Sequence, residues 1–137
     1  MKPVFVDTNL FIRYLTNDDP AKADQVEALL ARAEQGDVHL VTADLVVAEI
    51  VWVLESAYGM GAAEIAPMLR AILATPGLRV IGAPLVSRAL ELYESHNVDF
   101  VDAHIVVAVM EKEGIGEIFT FDRKHMARFP GIARRTP

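Results

Sequence analysis

Short apolar runs separated by helical patterns limit what this chain can fold into more than any other feature. Val4 to Val6, His39 to Val41, Leu78 to Ile81 and Ile118 to Phe121 each read as a short buried strand, and Gly131 to Arg134 reads as a fifth. Helical periodicity fills the intervals at Leu10 to Leu15, Leu45 to Tyr58, Ala62 to Ala74, Pro84 to Ser95 and Phe100 to Glu113. A further helix is opened by Asp19 as N-cap with Pro20 at the first helical position. Its inner face is Val26, Leu29, Leu30 and Ala33, and Gly36 stops it. Asp99 caps the Phe100 helix and Gly114 closes it, and a basic helical turn follows the fourth strand. Strands alternating with helices require right-handed crossovers, which make the strands parallel and cover both faces of the sheet. The expected fold is therefore α/β, a three-layer α/β/α sandwich with a central parallel sheet of about five strands, in a single domain over residues 1–137.

In such sheets the functional crevice lies outside the carboxyl ends of the strands. Asp7 and Asp122 fall there, each as the first polar residue after an apolar strand. The chain has 19 acids, so only those flanked by apolar residues or ending an apolar strand are informative. A carboxylate carried toward a core by its neighbours is costly to desolvate unless something compensates. Four acids qualify: Asp7 in FVDTNLF, Glu49 in LVVAEIVWVL, Asp102 in FVDAHIVVAV and Asp122 in IFTFD. Glu49 has Leu45, Val46, Trp52 and Val53 as its i±3 and i±4 neighbours, which points its face inward. Each of the other three has a purely structural account. Asp7 and Asp122 could be helix or turn caps, and Asp102 could complete a capping box with Asp99. Caps do not explain Glu49. The four segments contain no lysine or arginine, and the nearest bases, Arg13, Arg123 and Lys124, lie beyond the strand ends. A hard divalent cation, Mg²⁺ or Mn²⁺, is the natural partner for carboxylates that would otherwise repel one another. Carboxylates holding such an ion with its waters suit phosphoryl chemistry.

Composition narrows the class further. With no cysteine, disulfides, thiolate metal sites and a cysteine nucleophile are excluded, and a cytoplasmic location is expected. Without an H-E-x-x-H pattern, zinc is not expected either. No apolar run approaches the roughly 18 residues of a membrane span, and Asp7 interrupts any signal-like segment. All 19 acids lie at or before Asp122, whereas the last fifteen residues carry five basic side chains and no acid. That tail is either a solvated end or an arm for a polyanion, and Arg13, Arg123, Lys124 and Arg128 are the candidate phosphate contacts. Hydrophobic residues make up 53% and mean hydropathy is +0.28, an apolar excess that points to burial against another chain, most simply a homodimer. Trp52 and Tyr58 read as core or interface; His104 and His125 could assist catalysis or phosphate binding, with His104 reading first as a helix-surface or capped residue.

In order, VFVDTNLFI, VVAEIVWVL, DFVDAHIV and TFDRKH resemble the acidic motifs of PIN-domain ribonucleases, specifically the VapC-like toxins of type II toxin-antitoxin systems. The resemblance spans essentially the whole chain. It implies a five-stranded parallel PIN sheet, Mg²⁺-dependent endonucleolytic cleavage of RNA by a metal-activated water, dimerisation, and inhibition by a cognate antitoxin. It also implies that Asp7, Glu49 and Asp102 are metal-binding acids, with Asp122 the more variable fourth. Thr8 and Asn9 match the polar pair after the first acid; Thr8, and likewise Thr120, would bond a carboxylate or a water. Pro67 departs from the family, whose helix there usually keeps its donors. Two other classes remain open. One is a metal-dependent phosphatase using Asp7 as nucleophile, although Asn9 stands where a second aspartate would be wanted. The other is a non-catalytic nucleic-acid or partner-binding module.

Overall fold

The computed structural model describes residues 2–137. The chain forms two compact units, Met1–Ala83 and Pro84–Pro137. The first contains β1 (Val4–Phe5), α1 (Thr8–Thr16), α2 (Pro20–Glu34), β2 (Leu40–Ala43), α3 (Asp44–Ser56), α4 (Ala62–Leu73) and β3 (Leu78–Ile81). Its three strands are parallel in the order β1-β2-β3, with Val4 opposite Leu40 and Leu40 opposite Leu78. Each crossover carries two helices, which bury Phe11, Val47, Ile50, Leu54, Ile65 and Leu69. Burying side chains of this size contributes about 1.5–3 kcal/mol each.

Caps determine where these helices begin. α1 starts at Thr8, ahead of its apolar pattern, because the Thr8 amide donates to Asp7 Oδ1 at 2.8 Å. α2 opens at Pro20 as its sequence indicates, with the Lys22 amide donating to Asp19 Oδ1 at 3.2 Å. Of the four expected inner residues, Val26 and Ala33 are buried and Leu29 and Leu30 half-buried. Pro67 lies inside α4 at an exposed position, and the helix runs through it. Gly77 enters β3 with φ +79°, and a Cβ there would lie 2.2 Å from the Ala33 carbonyl oxygen, so this entry admits only glycine. β1 is not the buried strand its composition suggests. Among the described residues it pairs with β2, and Val4 and Phe5 are 52% and 60% exposed.

The second unit is carried by α5 (Ala83–His96), whose first residue belongs to the first unit. It continues with α6 (Phe100–Ile105), a π-helical segment (Val106–Glu111), β4 (Glu117–Phe119), α7 (Arg123–Met126) and β5 (Ala133–Arg135). Asp99 caps α6 through the Asp102 amide, which donates to Asp99 Oδ2 at 3.1 Å. The helix expected over Phe100 to Glu113 widens into π geometry at Val106, within a run of β-branched residues that crowd a regular α-helix. Tyr93 meets Phe100 edge to face, ring centroids 5.8 Å apart, within a core that includes Leu90, Val107 and Met110. β4 and β5 pair in parallel, with Glu117 opposite Ala133.

The fold is α/β with parallel strands throughout, but the expected single sheet of about five strands is corrected. The described strands form one sheet of three and one of two. Apolar runs identify strands without identifying their neighbours, and strands of two to four residues supply few ladder bonds. No helix of the described residues is long and apolar enough to cross a membrane.

Candidate active site

In the first unit, Asp7, Thr8, Asn9, Arg13, Glu49 and Tyr58 line a concavity of about 220 Å³. Asp7 lies two residues beyond β1 and caps α1, so the structural account of this acid holds alongside its place in the cavity. Thr8 is 4% exposed, and among the described residues its Oγ1 has no hydrogen-bond partner. The carboxylate that was one of its two expected acceptors is not bonded to it; a buried hydroxyl left open in this way is suited to a water or a bound group.

Glu49 overturns its sequence reading. α3 buries Val46, Val47, Ile50, Val51 and Leu54, whereas Glu49 is exposed together with Leu45 (78%) and Trp52 (65%). Where a helix is apolar nearly all round, apolar neighbours do not reveal which arc faces the core. For the same reason Trp52 is not a core residue. Tyr58 is partly exposed and donates its hydroxyl to Asp18 Oδ2 at 2.5 Å. Asp18 also accepts from Arg13 Nη1 at 3.1 Å and from Thr16 Oγ1 at 3.2 Å. The Tyr58 bond, ahead of those from Arg13 and Thr16, holds its carboxyl below the usual range. This network across the rim of the cavity was not legible in the sequence, because Asp18 and Tyr58 are 40 positions apart.

In the second unit, Asp99, Asp102, Asp122, His125, Arg128 and Phe129 line a cavity of about 180 Å³. Asp122 follows β4 by three residues and caps α7, accepting from the His125 amide at 3.2 Å. The His125 ring Nδ1 lies 2.9 Å and 3.1 Å from the two carboxylate oxygens. Thr120 Oγ1 accepts the Asp122 amide at 2.9 Å, which fixes the backbone beneath the carboxylate. The His125 ring bond is the main cause that holds the Asp122 carboxyl below its ordinary value. Asp102 is shifted the other way: burial raises it first, repulsion from Asp99 and Asp122 adds to this, and His125 partly opposes. Asp99 went unmarked as a site residue, although its place three residues before Asp102 was visible.

The basic tail forms α7 and β5 while leaving most of its side chains exposed to solvent. Arg128 Nη1 donates to the Asn97 carbonyl at 2.7 Å, and Arg134 Nη1 to that of Ile132 at 3.2 Å. Arg135 pairs with Glu117 at 3.3 Å and lies over the Phe119 ring, 5.0 Å from its centroid. Arg123 and Lys124 are exposed on α7.

Among the described residues, no three His, Asp or Glu side chains form a group that could hold a metal ion. Each unit instead offers two of the four acids in one cavity, Asp7 with Glu49 and Asp102 with Asp122. Oxygen-only donors of this kind fit Mg²⁺, which is commonly held by one or two carboxylates and retains several waters. The open Thr8 hydroxyl and the repulsion felt by Asp102 fit a hard cation as well.

The fold and the acids beyond the strand ends describe an α/β protein with carboxylate-lined cavities, and the sequence assigns the family: residues 4–132 match the model of the PIN domain, so the chain belongs to the PIN domain family. It is similar to a solved structure, VapC20 of Mycobacterium tuberculosis, a toxin that cleaves the sarcin–ricin loop. The two share 26% identity over 99% of this chain and 100% of that one, with a TM-score of 0.44. No curated protein matches the sequence.

Proposed function

We propose that this chain is a Mg²⁺-dependent endoribonuclease, the toxin of a toxin-antitoxin pair, with Mn²⁺ able to substitute. The observation that carries the reading is the presence, in a PIN-family chain, of two cavities that each set a second carboxylate beside an acid just past a parallel strand. RNA as substrate rests on the likeness of the acidic motifs to VapC-like toxins.

Asp7 with Glu49 in the first unit, and Asp102 with Asp122 in the second, are the acids that would hold a metal. When bound, such an ion neutralises phosphate oxygen and lowers the pKa of a bound water. The chain's own groups prepare for that chemistry. Asp7 is oriented by the Thr8 amide, and the Thr8 hydroxyl is free to bond a water beside it. Asp122 has its backbone amide fixed by Thr120 and its carboxylate bonded by His125, so the side chain is oriented before anything binds. Asn9, Arg13 and Arg128, which line the two cavities, supply the polar and positive surface that a phosphate chain requires in a protein of net charge -6. Exposed apolar side chains on α3 and α6 suit a second copy of the chain and an antitoxin segment, and a cytoplasmic location would give it access to RNA.

The test is an assay of the purified chain on labelled RNA, DNA and a generic phosphate monoester, with Mg²⁺ and with EDTA. RNA cleavage should require the metal, and Asp7→Asn or Asp102→Asn should lower it by about 100-fold or more, equivalent to roughly 3 kcal/mol of barrier. Undiminished cleavage in EDTA or by either variant would sink the assignment, and monoester hydrolysis without RNA cleavage would make the protein a phosphatase.

A further inference from the structure

A third cavity, of about 270 Å³, opens between α1 and α2, lined by Asn9, Leu10, Arg13, Lys22, Gln25 and Val26. Asn9 and Arg13 line the Asp7–Glu49 concavity as well, so the two share a wall. Its polar lining is two cations and two amides, and among the described residues no carboxylate lines it. In a chain of net charge -6, the lining itself is positive, with Asp18 and Asp19 set outside it against the two cations. Cations with neighbouring amides match an RNA strand, whose phosphates take the charge and whose 2′-hydroxyls and base edges take the amides.

Both cations remain usable. Lys22 Nζ is 3.9 Å from Asp19 Oδ2 with its side chain 60% exposed, a loose surface pair of little strength. Arg13 gives Nη1 to Asp18, which leaves its other N–H groups for a ligand. Asp18 is itself bonded by Tyr58 and Thr16, so the guanidinium is positioned at the shared wall rather than left to sample solvent.

We propose that the α1–α2 cavity is a phosphate subsite for the RNA strand that reacts at Asp7 and Glu49. Lys22 and Arg13 take the phosphate, Asn9 and Gln25 the sugar or base, and Asp18 acts as the positioning residue for Arg13. The inference rests on the ribonuclease reading above.

The experiment measures affinity of a short labelled single-stranded RNA by fluorescence anisotropy in EDTA, where nothing is cut, across a series of KCl concentrations. Lys22→Gln should weaken binding and reduce the salt slope by about 0.7, the value for one lost phosphate contact on a single strand, and Lys22→Arg should restore both. Gln25→Ala should weaken binding with the slope unchanged. Lys22 and Gln25 are exposed, so both variants should melt as the wild type does. Asp18→Ala removes a negative charge beside the cavity, which simple attraction says should tighten binding; lost positioning of Arg13 should weaken it instead. Wild-type affinity and slope in both Lys22→Gln and Gln25→Ala, or tighter binding by Asp18→Ala, would overturn the inference. A wild-type chain with no RNA affinity removes the ribonuclease reading itself, a different result from a wild type that binds and variants that match it.

Discussion

Asp102 and Asp122 line one cavity and shift in opposite directions, because burial and like charge act on the first and a histidine bond on the second. Their effects on stability run opposite ways too. Native Asp102 binds its proton more tightly than the unfolded chain does, so the stability it contributes is present at low pH. It is lost as pH rises from the ordinary value of 3.8 through the raised native one. The lowered pKa of Asp122 contributes stability above 3.8 that is lost as pH falls through its native value. Asp102→Asn should therefore melt above wild type at pH 7, with the gain shrinking as pH is lowered through the Asp102 window. Melting temperature against pH for the two proteins checks this. A variant that melts lower at neutral pH would mean that the carboxylate supports α6 rather than being burdened by its neighbours.

At the scale of elements, backbone geometry decides which glycines matter. Gly77 and Gly114 both have positive φ, at +79° and +70°, but only Gly77 would drive a side chain into backbone. Gly114→Ala should cost about 1 kcal/mol for the left-handed conformation alone. Gly77→Ala carries that cost plus a contact with Ala33 that α2 and β3 can relieve only by moving apart, so it should cost at least about 2 kcal/mol. Urea unfolding of the two variants gives the comparison directly, and equal losses would show that β3 enters without pressing on α2. The same scale explains α3. Its residues suit burial almost everywhere, so its exposed arc, with Leu45, Glu49 and Trp52, is defined by what packs against the other arc and not by its own pattern.

Considered as a whole, the molecule leaves apolar side chains uncovered in both units. Val101, Ile105 and Val109 recur every four residues and are each about half exposed, and Leu45 and Trp52 are more exposed still. Monomers rarely leave such stripes open to water. Light scattering at micromolar concentration should give twice the 15.1 kDa chain mass, rising further when the protein encoded next door is added. A clean 15.1 kDa particle unchanged by that addition would remove both the homodimer and the antitoxin from the proposed function.

What the sequence determined by itself was set over a few neighbouring residues. The Asp19–Pro20 opening of α2, the Asp99 cap and the strand Leu78–Ile81 all stand where they were read, because caps, turns and strand runs answer to neighbours within about four positions. Asp7, Asp102 and Asp122 stood out from the other acids for the same local reason, and each lies in a cavity. Tertiary structure alone decided which strands pair, that Glu49 and Trp52 face outward, and that Tyr58 reaches Asp18 to fix Arg13. Those outcomes depend on which surfaces remain uncovered once distant segments have packed, and a side chain's own neighbours in the chain carry no record of that competition.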